Sequence, residues 1–483
     1  MTTEPYCPGT DFTTEERSLG SRTVREIDVK SLKAILSKEK ETQRSLSRFT
    51  IEERLKVIGE MGKLWQSRLD SGDLGGLATS LASSTGYDRD LMEVEFSFIG
   101  EVLSAENIRR NLDLSLPQGI HALDSFVDMG GGEFIRQVPA GPVLIISSGN
   151  SIIPPLIPTV VSLMTGNLTL LKPSLANYEA IVEVMSLLGK VDTEAGRAIA
   201  RSLVISHFSH DSPSLDYLLS EGNLGVVNFW GGEPARGEVG LKLCSNPHHP
   251  AYFVNGPLTG IAIVDEGSVN RDTAAGLALN IVLYDQQLCS SPTSAVFIGD
   301  HEKAREFVSM VAKELDDLGA DFGMRMEQDA AFLLQSARRY LQFKGSAVRA
   351  SNKVSNMWTV VLSKGRSALR DAVAFYPSLN IYSRKRFIEI ITVGDVKEAA
   401  ELVDDVSTNP AYTGVDKVQT VGLRLSEGNR EKMLDRLTFS GVYRIVPLED
   451  MFMRGAAEPY DGESMASLFT YALYRRDVPL EPE

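Results

Sequence analysis

Cysteine is scarce: the 483 residues contain three, Cys7, Cys244 and Cys289. They are too few and too scattered for a disulfide framework, and they fit a reducing, cytoplasmic setting. Basic charge is also short. Lys and Arg total 49 against 64 Asp and Glu, a formal charge of −15, and the pI is near 5.1. A nucleic-acid surface shows as a basic excess, which is absent. The compact basic run "SRKR" (383–386) reads as a solvated turn. Long apolar runs are missing as well. The most apolar window, "IIPPLIPTVVSLMTG" (152–166), is too short to cross a bilayer. Its early prolines make it a buried helix with Pro in the first turn. The polar, acidic N-terminus has neither a signal-peptide core nor Arg-rich transit character. Two catalytic fingerprints are lacking too, G-x-G-x-x-G and G-x-S-x-G. Six histidines are present, but "HFSH" (207–210) and "HH" (248–249) have no cysteine or carboxylate at ligand spacing, so no metal site is expected.

What is present is an ordinary globular composition, 43% hydrophobic and 23% charged, on a chain long enough for two or three domains. Residues 1–115 read as mainly helical. Ile51, Leu55, Ile58, Met61 and Leu64 recur at helical spacing, and Thr50 with Glu53 forms a capping-box pattern. Residues 119–138 read as two short strands around Gly130-Gly131-Gly132. From residue 139, short apolar strands alternate with amphipathic helices. The strands are "GPVLIISSGN", "NLTLLKPS", "SLVISHF", "GVVNFWGG" and "GIAIVDEG" (260–267). Such alternation implies a parallel sheet covered on both faces, with ligands at the carboxyl ends of its strands. After residue 268 a second unit of the same type begins.

Several residues on this frame carry two readings each. Gly231-Gly232, opening a helix after a strand, is a plain turn or a backbone cradle for a pyrophosphate. Lys172 at a strand end is a solvated lysine or a ribose or phosphate ligand. Asn150 is a helix cap or an oxyanion donor. Cys289 sits in "LYDQQLCSSP" between a helix and a strand. Its flanks, Gln286, Gln287, Ser290 and Ser291, are polar, whereas structural cysteines sit among apolar residues. It is a small buried hydrophobe or an accessible nucleophile.

Taken in order, "GPVLIISSGN", "LTLLKPS", "VVNFWGG" and "LYDQQLCSSP" resemble the aldehyde dehydrogenase superfamily over roughly residues 135–445. Within it, "SGN" (148–150), "FWGGE" (229–233), "DQQLCSSP" (285–292) and "VQTVGL" (418–423) resemble the acyl-CoA reductases of the bacterial bioluminescence type. The resemblance implies an α/β fold with two parallel-sheet domains, nucleotide-binding and catalytic, plus a small β oligomerisation arm. The division it suggests is a helical segment 1–118, an arm and tail from 119–138 with 446–483, an NAD(P)-binding domain 139–267 and a catalytic domain 268–445. It implies reduction of an acyl thioester, on CoA or a carrier, to an aldehyde. Cys289 is then the nucleophile and Asn150 the oxyanion donor. Ser148, Lys172, Ser174, Trp230, Gly231 and Gly232 hold the cofactor. A homodimer or tetramer, and an acyl-transferring protein partner, are further expectations of this reading.

Two departures from relatives sharpen it. Hydrolytic members carry a water-activating Glu in a segment that falls here on "FVNGPLTG" (253–260), with Val254 at or near its position. Without that base, water attack on an acyl-cysteine is slow. NAD-using relatives read K-P-x-E, the Glu binding the ribose hydroxyls; here Leu175 takes its place, which permits a 2′-phosphate and favours NADPH, with NADH still possible. A CoA-acylating dehydrogenase working oxidatively, or a redox-silent cysteine acyltransferase, are the competing readings.

Overall fold

The computed structural model describes residues 2–20, 22–377, 379, 384–455 and 458–479. Parts of the expected tail (446–483) and of the "SRKR" run therefore lie outside the described residues. The chain divides into two compact units. The first comprises residues up to Thr85, Glu93–Asn255 and those from Gly455 onward. The second comprises Gly86–Met92 and Gly256–Arg454.

In the first unit, the four-residue runs "VLII" and "TLLK" are apolar on both faces, as strands of a covered parallel sheet must be. The sheet order is Ala251–Asn255, Val226–Trp230, Val143–Ile146, Thr169–Lys172, Leu203–Ile205, and every pairing is parallel. Numbered along the chain, this order is 5-4-1-2-3. Its switch point lies between Val143–Ile146 and Val226–Trp230, where connections leave in opposite directions and open a crevice at the carboxyl ends. Leu144, Ile146, Leu170, Val227 and Phe229 pack one face into a core with Leu218 and Leu243. The apolar window forms the buried helix Ile153–Met164, with Pro at its start and Pro158 inside. Thr50 and Glu53 form the capping box at the head of helix Ile51–Asp70.

Residues 1–115 are not simply helical. A hairpin, Thr14–Leu19 with Arg22–Ile27, precedes the helices. Its strands are half-exposed and rich in Thr, Glu and Arg, so they show little apolar alternation. The segment before it extends the main sheet: Tyr6 and Ile205 exchange backbone hydrogen bonds at 2.9 and 2.8 Å. A separate antiparallel sheet joins Val127–Gly130, Glu133–Pro139 and Thr470–Arg476.

The second unit holds a seven-stranded sheet, ordered Ala347–Ala350, Thr359–Lys364, Phe387–Val393, Pro292–Ile298, Leu258–Asp265, Lys417–Arg424, Arg444–Pro447. Only the Ala347–Ala350 edge pairs antiparallel. Period-two alternation divides its cores. Ile261, Ile263, Val296 and Ile298 face helices Gln328–Phe343, Val396–Asp404 and Glu427–Leu437. Ala262, Val264, Ala295 and Phe297 face Arg271–Val282 and His301–Asp321. The strand read at 260–267 as the fifth of the first sheet is Leu258–Asp265, and it is central here, between Pro292–Ile298 and Lys417–Arg424. The fifth strand of the first sheet is Ala251–Asn255 instead. A strand's apolar run declares its existence but not its partners. Among the described residues, no helix is long and apolar enough to cross a membrane.

Candidate active site

In the first unit, the residues singled out by sequence gather on one rim, at the carboxyl ends of the parallel strands. After Ile146 the chain turns through Ser147–Asn150. Ser148 Oγ donates to Asn150 Oδ1 at 2.9 Å, which sets the amide's orientation. Asn150 is not the helix cap: the N-cap of Ile153–Met164 is Ile152, with no side-chain cap hydrogen bond. The turn is held from beneath. Asn177 Nδ2 donates to Ser148 O at 3.0 Å and Ser151 O at 2.8 Å. Glu95, fully buried, accepts from Ser151 Oγ and from Ile152 N–H. A Cβ on Gly149 would lie 2.5 Å from Ser174 Oγ, so only glycine lets the Ser148–Asn150 and Ser174 turns approach.

Across the switch point, Trp230 ends its strand and donates its indole N–H to Asn228 Oδ1. Asn228 Nδ2 donates to Asn255 Oδ1 at 2.8 Å, and Asn255 Nδ2 to Asp461 at 3.0 Å. Tyr460 meets Trp230 edge-on at 4.7 Å. Gly231 N–H donates to Asn255 O at 3.1 Å, and the Gly231-Gly232 turn leads into helix Ala235–Cys244. Val254 pairs with Phe229 and packs on the apolar core. A carboxylate that reaches the end of its strand is that of Asp461, from the segment expected to form the arm and tail.

Lys172 ends the neighbouring strand. It is 8% exposed, and its ammonium makes no side-chain hydrogen bond with a described residue. Burial pushes it down to about 8, against the pull of the Glu26 carboxylate. A largely buried cation with no side-chain hydrogen bond to a described residue is costly, so this rim suits an anionic ligand beside the Glu26 carboxylate. Beside it, His207 donates from Nδ1 to Pro173 O at 3.0 Å. Burial, reinforced by the Lys172 charge, pushes His207 down to about 4. Together with the glycine turn, these groups fit a dinucleotide.

Cys289 lies in the second unit, immediately before strand Pro292–Ile298. The chain reaches it through Tyr284, Asp285 and Gln286, with φ of 53°, 49° and 66°. Each such non-glycine residue costs about 1–2 kcal/mol, and three in a row persist only if tied down. They are. Arg386 Nε donates to Asp285 Oδ1 at 2.8 Å inside the protein. The same guanidinium donates to Asn356 Oδ1 and Phe322 O, each at 2.8 Å. Burial pushes the Asp285 carboxyl up, while Arg386 and then Lys385 pull it down. Gln286 pairs with backbone: Nε2 donates to Pro292 O at 2.7 Å and Phe387 O at 3.0 Å, and Oε1 accepts from Phe387 N–H at 2.7 Å. Arg384 and Arg386 are 3% and 1% exposed, so this basic run is no solvated turn. Buried just before strand Phe387–Val393, Arg386 serves as an anchor.

On the next side, strand Lys417–Arg424 bulges. Val418 opposes Thr259 and Thr420 opposes Gly260, which leaves Gln419 as the extra residue. Bulges re-aim side chains beside active sites. Gln419, fully buried, donates from Nε2 to Cys289 Sγ at 3.0 Å. A Cβ on Gly260 would lie 2.2 Å from Ser290 O, so glycine lets the cysteine loop settle against the strand. Gln419, Arg386 and Glu95 were not singled out by sequence; the "VQTVGL" signature that contains Gln419 was the available signal. Among the described residues, no group of three His, Cys, Asp or Glu is placed to hold a metal.

Comparison with known proteins bears on this arrangement. The model of the family described as acyl-CoA reductase (LuxC) matches residues 46–470. A long-chain acyl-protein thioester reductase of Aliivibrio fischeri is 25% identical over 389 residues, 78% of this chain and 73% of that protein. Its counterpart from Photobacterium phosphoreum is 23% identical over 389 residues, 77% of each chain. Among solved structures, a methylmalonate-semialdehyde dehydrogenase of Oceanimonas doudoroffii aligns with TM-score 0.73 at 14% identity, covering 99% of both chains. Aldehyde dehydrogenase 21 of Physcomitrella patens aligns with TM-score 0.70 at 14% identity, covering 97% of this chain and 95% of that one. At these identities the structures show the fold alone, that of the aldehyde dehydrogenases.

Proposed function

The chain belongs to the acyl-CoA reductase (LuxC) family, and on that premise we propose that it reduces a long-chain acyl thioester through an acyl-cysteine on Cys289, with NADPH as reductant. The observation that carries this reading is the thiol held on an anchored left-handed turn with the Gln419 amide N–H aimed at its sulfur. An N–H donor at sulfur stabilises negative charge there, and the thiolate is the nucleophile.

Cys289 attacks the thioester carbonyl as thiolate and forms a tetrahedral oxyanion. Asn150 is assigned as a donor to that oxyanion, a contribution worth roughly 3–4 kcal/mol for such groups. Collapse breaks the bond to the carrier thiol, which leaves as thiolate, and the acyl group remains on Cys289. Ser148, Lys172, Ser174, Trp230 and the Gly231-Gly232 turn are assigned to hold the nicotinamide cofactor. Bound there, that cofactor would supply the hydride that brings the acyl group to the aldehyde level, and the carbon–sulfur bond to Cys289 would break to leave the thiolate on the protein. Diversion to water lacks a base at Val254, and Asp461 at the end of that strand is engaged by Asn255.

The relatives named as long-chain acyl-protein thioester reductases support a fatty acyl group delivered by CoA or by an acyl-transferring protein. The Thr470–Arg476 strand, at the edge of its sheet with Tyr471, Leu473 and Tyr474 exposed, is our candidate for pairing with a second copy. The test is NADPH oxidation with a panel of acyl-CoAs, with Cys289→Ala as control. Acyl-CoA-dependent oxidation that vanishes in Cys289→Ala supports the reading. Unchanged turnover in that variant removes it.

A further inference from the structure

We infer that Arg22, on the N-terminal hairpin, reads the 2′-phosphate of the cofactor and thereby sets its preference for the phosphorylated dinucleotide. This rests on the nicotinamide-dependent reduction proposed above. It adds a residue from outside positions 46–470, the span the family model matches.

Arg22 begins strand Arg22–Ile27. Its Nη1 donates to Leu175 O at 3.2 Å in a partly buried contact. By the resemblance to NAD-using relatives, Leu175 stands where those carry a ribose-binding carboxylate. The turn therefore lacks that anion, and the structure brings the Arg22 guanidinium to it. A guanidinium offers five N–H donors in a planar fork suited to phosphate, and the Leu175 contact uses one. Three residues upstream, Lys172 is 8% exposed and its side chain makes no hydrogen bond with a described residue. The Ser174 hydroxyl lies between them in sequence and accepts from Ala176 N–H at 3.3 Å, which leaves its own proton to donate.

The neighbouring charges do not cancel this. Glu26 lies on the same face of the strand as Arg22, by period two. Its carboxylate is engaged by Ser209 N–H at 2.6 Å, by Ser209 Oγ and by Arg17 Nε at 3.3 Å. His207 is locked to Pro173 O through Nδ1. The hairpin is fixed to the same sheet edge. Ile27 N–H donates to Ser206 Oγ at 3.4 Å, and Ser214 Oγ donates to Ile27 O at 2.7 Å. Arg22 is thus held in place and not tethered on a loose arm.

The test measures binding, not turnover. The full chain is titrated calorimetrically with adenosine 2′,5′-bisphosphate and with 5′-AMP. A charge-assisted contact of this kind is worth a factor of roughly 10–100. The wild type is expected to prefer the bisphosphate by about that factor. Arg22→Gln collapses the preference toward one and leaves 5′-AMP affinity unchanged, while Arg22→Lys keeps an intermediate preference. If Arg22→Gln retains the full preference, the assignment of Arg22 is overturned while the NADPH reading stands. If the wild type itself shows no preference, the NADPH reading falls and Arg22 with it. Should Arg22→Gln lose 5′-AMP binding through misfolding, Arg22→Lys decides: a wild-type ratio there overturns the proposal.

Discussion

Gln419 Nε2 donates to Cys289 Sγ across 3.0 Å, although 130 residues separate the two in sequence. A β-bulge at Gln419 creates the contact by taking that residue out of the strand register. The thiol is thereby given an uncharged amide N–H as hydrogen-bond donor.

The first prediction follows directly. Gln419→Leu keeps the volume and removes the donor. In a Cys244→Ser background, which takes away the exposed competing thiol, iodoacetamide alkylation of Cys289 at neutral pH is expected to slow about tenfold. Its pH–rate profile moves to higher pH. An unchanged rate and profile would mean that the contact does not tune the sulfur.

The Asp285–Arg386 pair holds the left-handed run before the cysteine. Removing one partner leaves a buried charge alone, at a cost of about 3–5 kcal/mol. Arg386→Met is expected to lower the unfolding midpoint in urea strongly. Adding Asp285→Asn recovers part of the loss, because it deletes the orphaned carboxylate. A double variant as unstable as the sum of the singles would contradict the pairing.

Acid stability tests His207. Burial, then the Lys172 charge, places it near 4 in the folded protein against 6.5 when unfolded. The native state therefore holds the neutral ring. Its contribution is intact above pH 6.5 and is lost as pH falls from 6.5 toward 4. At about 1.4 kcal/mol per unit, the whole loss is on the order of 3 kcal/mol. His207→Gln can keep an N–H for Pro173 O but does not titrate, so it flattens the dependence of melting temperature on pH in that window. An equally steep curve in the variant would refute the assignment.

Much of this was legible in sequence because parallel strands buried on both faces are continuous apolar runs. "VLII" and "TLLK" announced themselves, and so did their carboxyl ends, with Asn150 in the turn after the first and Lys172 closing the second. What stayed hidden depended on partners. "AYFVN" is short and its pairing with Val226–Trp230 is long-range, so Leu258–Asp265 took its place in the first sheet. The Thr14–Ile27 hairpin hid behind Thr, Glu and Arg, and Arg22 with it. "RKR" looked solvated because nothing local shows that Asp285 lies inside the protein, waiting for Arg386. Gln419 faces Cys289 only because its strand bulges, a feature of register and not of composition.

A further prediction concerns water. With no carboxylate at Val254, the acyl-enzyme is expected to hydrolyse slowly. Incubated with palmitoyl-CoA and no reductant, the enzyme releases about one equivalent of CoA in a burst and little free fatty acid afterwards. Steady fatty-acid release at the rate of the reductive turnover would show that a water-activating base exists elsewhere.

The central claim is that Cys289 carries the acyl group, and intact-protein mass spectrometry tests it most directly. After incubation with palmitoyl-CoA in the absence of NADPH, the account predicts one added acyl group, mapped by peptide analysis to Cys289. The adduct is absent from Cys289→Ala and is discharged as aldehyde when NADPH is added. An unmodified wild type, or an equal adduct on Cys289→Ala, would contradict it.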